Sequence, residues 1–150
     1  MNRVVFRAEE VPPPSWSKKA AAFIRKVLKV LGHENWEVSV LFCGNRYIKT
    51  LNAQYRNRDE PTDVLSFALG ETARGRYLAG DIVLSLDALE ENARFFKGPP
   101  DEELRRLLVH GILHLSGGDH ATNNAEEPML RRQEEILARL ADEHIQENVL

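Results

Sequence analysis

Three of the five histidines fall within eleven residues, and their spacing restricts how the chain can fold around them. The segment reads His110-Gly111-Ile112-Leu113-His114-Leu115-Ser116-Gly117-Gly118-Asp119-His120. His110 and His114 are four apart in an apolar run, so on a helix they project from one face, about one turn apart. Gly117-Gly118 ends that helix and permits a steep bend, which lets His120 approach the same point from the other side. The chain must therefore supply a helix to about Leu115, a glycine break and a returning loop.

Three neutral imidazoles suit zinc, with bonds of about 2.0–2.1 Å. Three protein ligands leave a fourth place for water, the mark of a catalytic rather than a structural zinc site. Bound zinc brings the pKa of water to about 7. One zinc ion per chain, held by His110, His114 and His120, is the expectation, although imidazole sites also take copper, nickel or iron. Any one of these histidines alone would read as an ordinary surface or core residue. At about 100° per residue, however, Leu104, Leu108, Ile112 and Leu115 form the core stripe, and the two helical histidines lie roughly 120° away from it. Asp119 has two readings, orienting a ligand imidazole or capping the glycine turn. His33 and His144 lie near expected helix ends and receive no role.

Around this segment, periodicity predicts strands over Asn2–Ala8, Trp36–Phe42, Asp63–Leu69 and Leu78–Leu86. The strand at Trp36 alternates apolar and polar residues, as one buried face requires. Helices are expected from a Ser15 cap to about Leu31 with Gly32 as terminator, and over Asn45–Arg56. Three more follow: from an Asp87-x-x-Glu90 capping box to near Lys97, from Asp101 to about Leu115, and from near Pro128 past Leu140. No repeat or linker interrupts residues 1–150. The fold class is α+β: a single domain with a small mixed sheet of about four strands, helices packed on it, and a zincin-like histidine helix.

Composition adds boundaries. The lone cysteine, Cys43, excludes an internal disulfide and sits among apolar residues, so a buried inert thiol is expected. No signal-like segment or bilayer-length apolar run is visible, which points to a cytoplasmic protein without a membrane role. Net charge is −3, yet residues 1–58 carry 11 Lys and Arg against 4 Asp and Glu, and the remainder 9 against 19. A local positive face is compatible with that distribution. Solvated helix surfaces that differ in sign are the plainer account of it.

The pattern H-x3-H-x5-H matches metzincin proteases, but their general-base glutamate position is here Gly111. The segment resembles much more closely the bacterial YbeY family of rRNA-maturation endoribonucleases, whose signature is H-G-x-L-H-L-x-G-x-D-H. A second family block, R-x-x-x-x-P-T-D-V-L-S-F, stands as Arg56 to Phe67; Leu51-Asn52 precede it and Gly80-Asp81-Ile82 follow. The resemblance spans roughly Leu51 to Leu130 and departs at Gly118, where a larger residue such as Tyr or His is expected.

It implies a zinc-dependent hydrolase of single-stranded RNA acting on the 3′ end of small-subunit rRNA and in ribosome quality control, with the ribosome or the small ribosomal subunit as partner. It also implies His110, His114 and His120 as zinc ligands and a catalytic Arg56. Taken alone, Arg56 reads as a helix-end cation facing the dipole; with the resemblance, it reads as a planar donor to phosphate oxygens. Thr62 and Asp63 read as turn formers, and Ser66 as a residue lining a groove. Arg46, Lys49, Arg58 and the lysines of the first helix are candidates to guide an RNA backbone. No aromatic stacking ladder is visible, so sequence reading of bases is not expected. The alternatives are a metallopeptidase with a different base and a non-catalytic ribosome-associated zinc protein.

Overall fold

A computed structural model describes residues 1–120 and 122–146. In chain order the elements are β1 (Arg3–Ala8), α1 (Ser17–Val30), β2 (Trp36–Cys43), α2 (Asn45–Arg56), β3 (Val64–Ala73), β4 (Arg76–Ser85), α3 (Leu86–Phe95), α4 (Pro100–Leu115) and α5 (Pro128–Arg139). The sheet has four strands in the order β1-β2-β4-β3. β1, β2 and β4 run parallel, and β3 joins β4 antiparallel as an edge strand. This is the expected α+β class with a mixed sheet.

Val38, Val40, Phe42, Ile82 and Leu84 turn one face of the sheet toward α1 and α4, forming the main core with Ile24, Leu28, Leu104, Leu108 and Ile112. The other face carries a smaller cluster, Leu41, Cys43, Leu65 and Val83, under Ile48 of α2. β2 is consequently buried on both faces over its second half, rather than on the single face its alternation predicts. A central strand with helices on both sides loses its solvent face. Cys43 is fully buried, and burial is the main cause that pushes its thiol up to about 12, so the expectation of an inert thiol holds.

Several helix ends differ from their predicted chemistry. α1 has no side-chain cap, and Ser15 is not its N-cap; Ser17 Oγ instead donates to the Pro14 carbonyl at 2.6 Å. Its far end closes as expected at Gly32 (φ +80°), with His33 N–H to Leu28 O and Gly32 N–H to Lys29 O. α3 is capped by Ser85, whose Oγ accepts from Ala88 N–H at 3.2 Å, not by Asp87. Asp87 caps a different helix: its carboxylate accepts the Asn45 N–H that opens α2, at 2.9 Å. The β3–β4 hairpin runs further than predicted, through a two-residue turn in which Arg74 and Gly75 both take positive φ. α5 stops at Arg139, short of the predicted end beyond Leu140.

Candidate active site

α4 presents the first two histidines as the spacing requires. Its predicted core stripe is buried, and so are Leu107, Val109, Gly111 and Leu113, so the helix is enclosed on most sides. His110 and His114 occupy the part of its surface that remains half-exposed, facing the free edge of β3. The helix ends with Gly117 at φ +95°; Gly117 N–H donates to His114 O and Gly118 N–H to Leu113 O. That double closure turns the chain back, and His120 arrives beside the other two imidazoles.

One ring nitrogen from each of the three histidines lies within 4.8 Å of the others. His110 Nε2 and His114 Nε2 are 3.1 Å apart. Each Nδ1 meets an oxygen: Gln133 Oε1 at 2.7 Å for His110, the Gly118 carbonyl at 3.0 Å for His114, and the Thr122 carbonyl at 2.9 Å for His120. An oxygen acceptor holds the proton on Nδ1 and leaves Nε2 as a lone pair. Two lone pairs at 3.1 Å repel unless a cation lies between them. Tetrahedral zinc with bonds of about 2.0–2.1 Å places its ligand nitrogens roughly 3.3 Å apart. The His110–His114 pair matches that spacing, and three imidazoles are a donor set of the kind that holds a zinc-like ion, with no fourth His, Cys, Asp or Glu joining them among the described residues.

Burial is the main cause that holds His110 and His114 below the ordinary imidazole pKa, and the neighbouring rings push the same way. Both are therefore kept in the neutral form a metal requires.

Around the imidazoles is a polar shell that the sequence did not single out. Gln133 on α5 is buried; its Nε2 donates to Glu134 Oε2 at 3.1 Å, which sets the amide so that Oε1 faces His110. Glu134 in turn accepts from Arg106 Nη2 at 3.0 Å, and Arg106 reaches Glu102 on its own helix at 3.2 Å. The Asp119 carboxylate accepts the His120 backbone N–H at 2.8 Å and so shapes the loop after the glycine turn, a contact that neither of its two readings named. His33 stacks on Trp36 and His144 meets Asp101, both away from the cluster.

Arg56 comes to the same cavity from the opposite face of the sheet. α2 ends at Asn57 in the left-handed conformation (φ 60°), and buried Asn52 donates to the Glu60 carbonyl at 2.9 Å, so the following loop is pinned. Because β3 is an edge strand, its outer carbonyls have no strand partner, and Arg56 Nη2 donates to Ser66 O at 2.8 Å. The guanidinium also lies over the Phe67 ring, 4.9 Å from its centroid. Arg56, Val64, Leu65, Ser66, Ala68, His110 and His114 line one cavity of about 340 Å³. Ser66 thus lines the groove, as expected. Asp63 holds the turn, accepting from Val64 N–H at 2.8 Å and from Asn92 Nδ2 at 3.1 Å.

Of the proposed backbone guides, Arg46 and Lys49 share α2 with Arg56, whereas α1 packs against β1 and α4 on the other face of the sheet. Gly111 cannot be exchanged for the metzincin glutamate without cost. A Cβ there would meet Ile82 side-chain atoms at 3.0–3.1 Å, so the position faces the core and not the cavity.

Comparison with known proteins adds the following. The family model for Endoribonuclease YbeY matches residues 6–141. Endoribonuclease YbeY of Treponema denticola is 48% identical over 142 residues, covering 91% of this chain and 92% of the relative. That of Aquifex aeolicus is 44% identical over 115 residues, covering 76% and 77%. The solution structure of TM1509 from Thermotoga maritima superposes with a TM-score of 0.58 at 29% identity, over 95% of this chain and 91% of that one.

Proposed function

Because this chain belongs to the endoribonuclease YbeY family, we propose that it is a zinc-dependent, single-strand-specific endoribonuclease that acts in small-subunit rRNA 3′-end maturation and ribosome quality control. The observation that carries the reading is the meeting of Arg56 with His110 and His114 in one cavity. His110, His114 and His120 would hold the ion through Nε2, their Nδ1 protons occupied by Gln133, Gly118 and Thr122. A zinc ion held there would supply Lewis acidity toward a phosphoryl oxygen and lower the pKa of water toward neutral.

The remaining contribution is the arginine's. Phosphodiester cleavage gathers negative charge on the non-bridging oxygens, and a guanidinium carries five N–H donors in a planar fork. Nη2 is anchored to Ser66 O while the ring of Phe67 fixes the plane, so Arg56 is oriented before substrate arrives. That preorganisation favours the charge-rich transition state over the ground state.

Two alternatives lose support. A metallopeptidase needs a general base, and no carboxylate is among the described residues that line the cavity. A structural zinc needs a fourth protein ligand, and none joins the three imidazoles among the described residues. No described helix is long and apolar enough to cross a membrane.

Chelator-treated protein should lose cleavage of a labelled single-stranded RNA and regain it with one equivalent of zinc, while a peptide library stays intact. Metal-dependent cutting of the peptides with RNA left whole would replace this function with the peptidase.

A further inference from the structure

The face of the sheet that α2 only partly covers holds a second groove of about 340 Å³, lined by Arg7, Leu41, Tyr47, Leu51, Tyr55, Phe67, Asp81 and Val83. Its aromatics lie far apart in sequence, which is why no stacking ladder is visible there; the fold brings them together. Tyr55 and Phe67 meet edge to face with centroids 5.4 Å apart, and Tyr55 remains 55% exposed. An aromatic left that open beside an apolar floor has surface to offer a planar partner.

Charge narrows the class of partner. α2 carries Arg46, Lys49 and Arg56 and no acidic residue, and Arg7 stands on the neighbouring strand face. Arg7, Arg46 and Lys49 form no ion pair among the described residues. Asp81 is the exception inside the groove. It pairs across the strands with Phe67, and its carboxylate has no hydrogen-bond partner among the described residues. A carboxylate repels phosphate but accepts from the amino or imino edge of a base. Aromatic faces, flanking cations and one acceptor at the ring edge together describe a nucleobase on a strand whose phosphates lie outward.

The groove is continuous with the histidine cavity through one residue. Arg56 lines that cavity, and the same guanidinium rests on the Phe67 ring that floors the groove. Ser66 and Phe67, consecutive on β3, turn to the two sides of the sheet, Ser66 to the cavity and Phe67 to the groove.

We propose that this groove binds an unpaired base of the RNA whose backbone is cut in the histidine cavity, the strand passing over the free edge of β3 at Arg56; the proposal rests on the endoribonuclease reading above. Stacking supplies a requirement for single-stranded substrate, because a base held in a duplex cannot reach Tyr55.

The test is fluorescence anisotropy with a 5′-labelled, single-stranded RNA of about ten nucleotides, intact and with one abasic nucleotide moved along it. Wild type, Tyr55→Ala and Tyr55→Trp are compared at equal zinc content. Tyr55→Ala should raise Kd about tenfold, and Tyr55→Trp should restore it. One abasic position should weaken wild type by a similar factor and leave Tyr55→Ala unaffected. If wild type cleaves the RNA but Tyr55→Ala binds it equally well, or feels every abasic position as wild type does, the groove is not a base site and a protein occupant takes its place. If wild type neither binds nor cleaves RNA, the endoribonuclease reading itself fails and the groove proposal falls with it.

Discussion

Which nitrogen each imidazole turns toward the cluster is decided by residues that are not histidines. Gln133, 23 residues from His110 and on another helix, fixes that ring with a 2.7 Å hydrogen bond. Gln133→Ala should keep the fold and weaken zinc binding by about 10–100-fold, read by competition with a chromogenic chelator; unchanged affinity would reduce the contact to packing. Acidification tests the imidazoles themselves. Burial lowers the pKa of His110 and His114, so below about pH 6.5 the unfolded chain takes up protons that the folded chain resists. The stability of metal-free protein should therefore fall as pH drops from 7 to 5.5. The slope should be shallower in the double variant His110→Gln/His114→Gln; His33, also lowered by burial, remains in both. Equal slopes in denaturant titrations would contradict the burial account. The histidine spacing was legible in the sequence because helix geometry converts it directly into position. Gln133 was not, since nothing local distinguishes a glutamine that faces a ligand from one that faces water.

Among the elements, α4 shows both what pattern can give and where it stops. Its start follows from Pro100 and the acidic first turn, its end from Gly117-Gly118, and its buried stripe from the leucine periodicity. Its burial on further sides depends on β4 and α5, which periodicity within one helix does not describe. Gly111 is the point of closest approach to β4, where a methyl group would sit 3.0 Å from two carbons of fully buried Ile82. Alanine gains about 1 kcal/mol of helix propensity over glycine, whereas overpacking costs about 1–3 kcal/mol. Ile82 is β-branched and central in the sheet, so it yields little, and Gly111→Ala should be net destabilising by about 1 kcal/mol in thermal or urea unfolding. A more stable variant would show that the helix can move away from the sheet. The caps teach the converse lesson. Asp87 carries the right chemistry for a cap and serves α2, across 42 residues, because Ser85 already occupies the end of α3.

For the whole molecule, the order of strands and helices indicated an α+β domain with a mixed sheet, and the neighbour pairing β1-β2-β4-β3 had to come from the structure. That order makes β3 an edge, and the edge is what lets Arg56, from a helix on one face, share a cavity with histidines from a helix on the other. Sequence spacing could place the three imidazoles, but only the family resemblance singled out Arg56, because its partners lie across a sheet edge. The most direct test of the account is zinc content together with single-stranded RNA cleavage, measured on the same samples of wild type, His114→Ala and Arg56→Ala. The account predicts that wild type binds one zinc ion and cleaves, that His114→Ala loses both, and that Arg56→Ala keeps its zinc but loses cleavage by about a hundredfold or more. Cleavage by Arg56→Ala at the wild-type rate, with zinc bound, would contradict it.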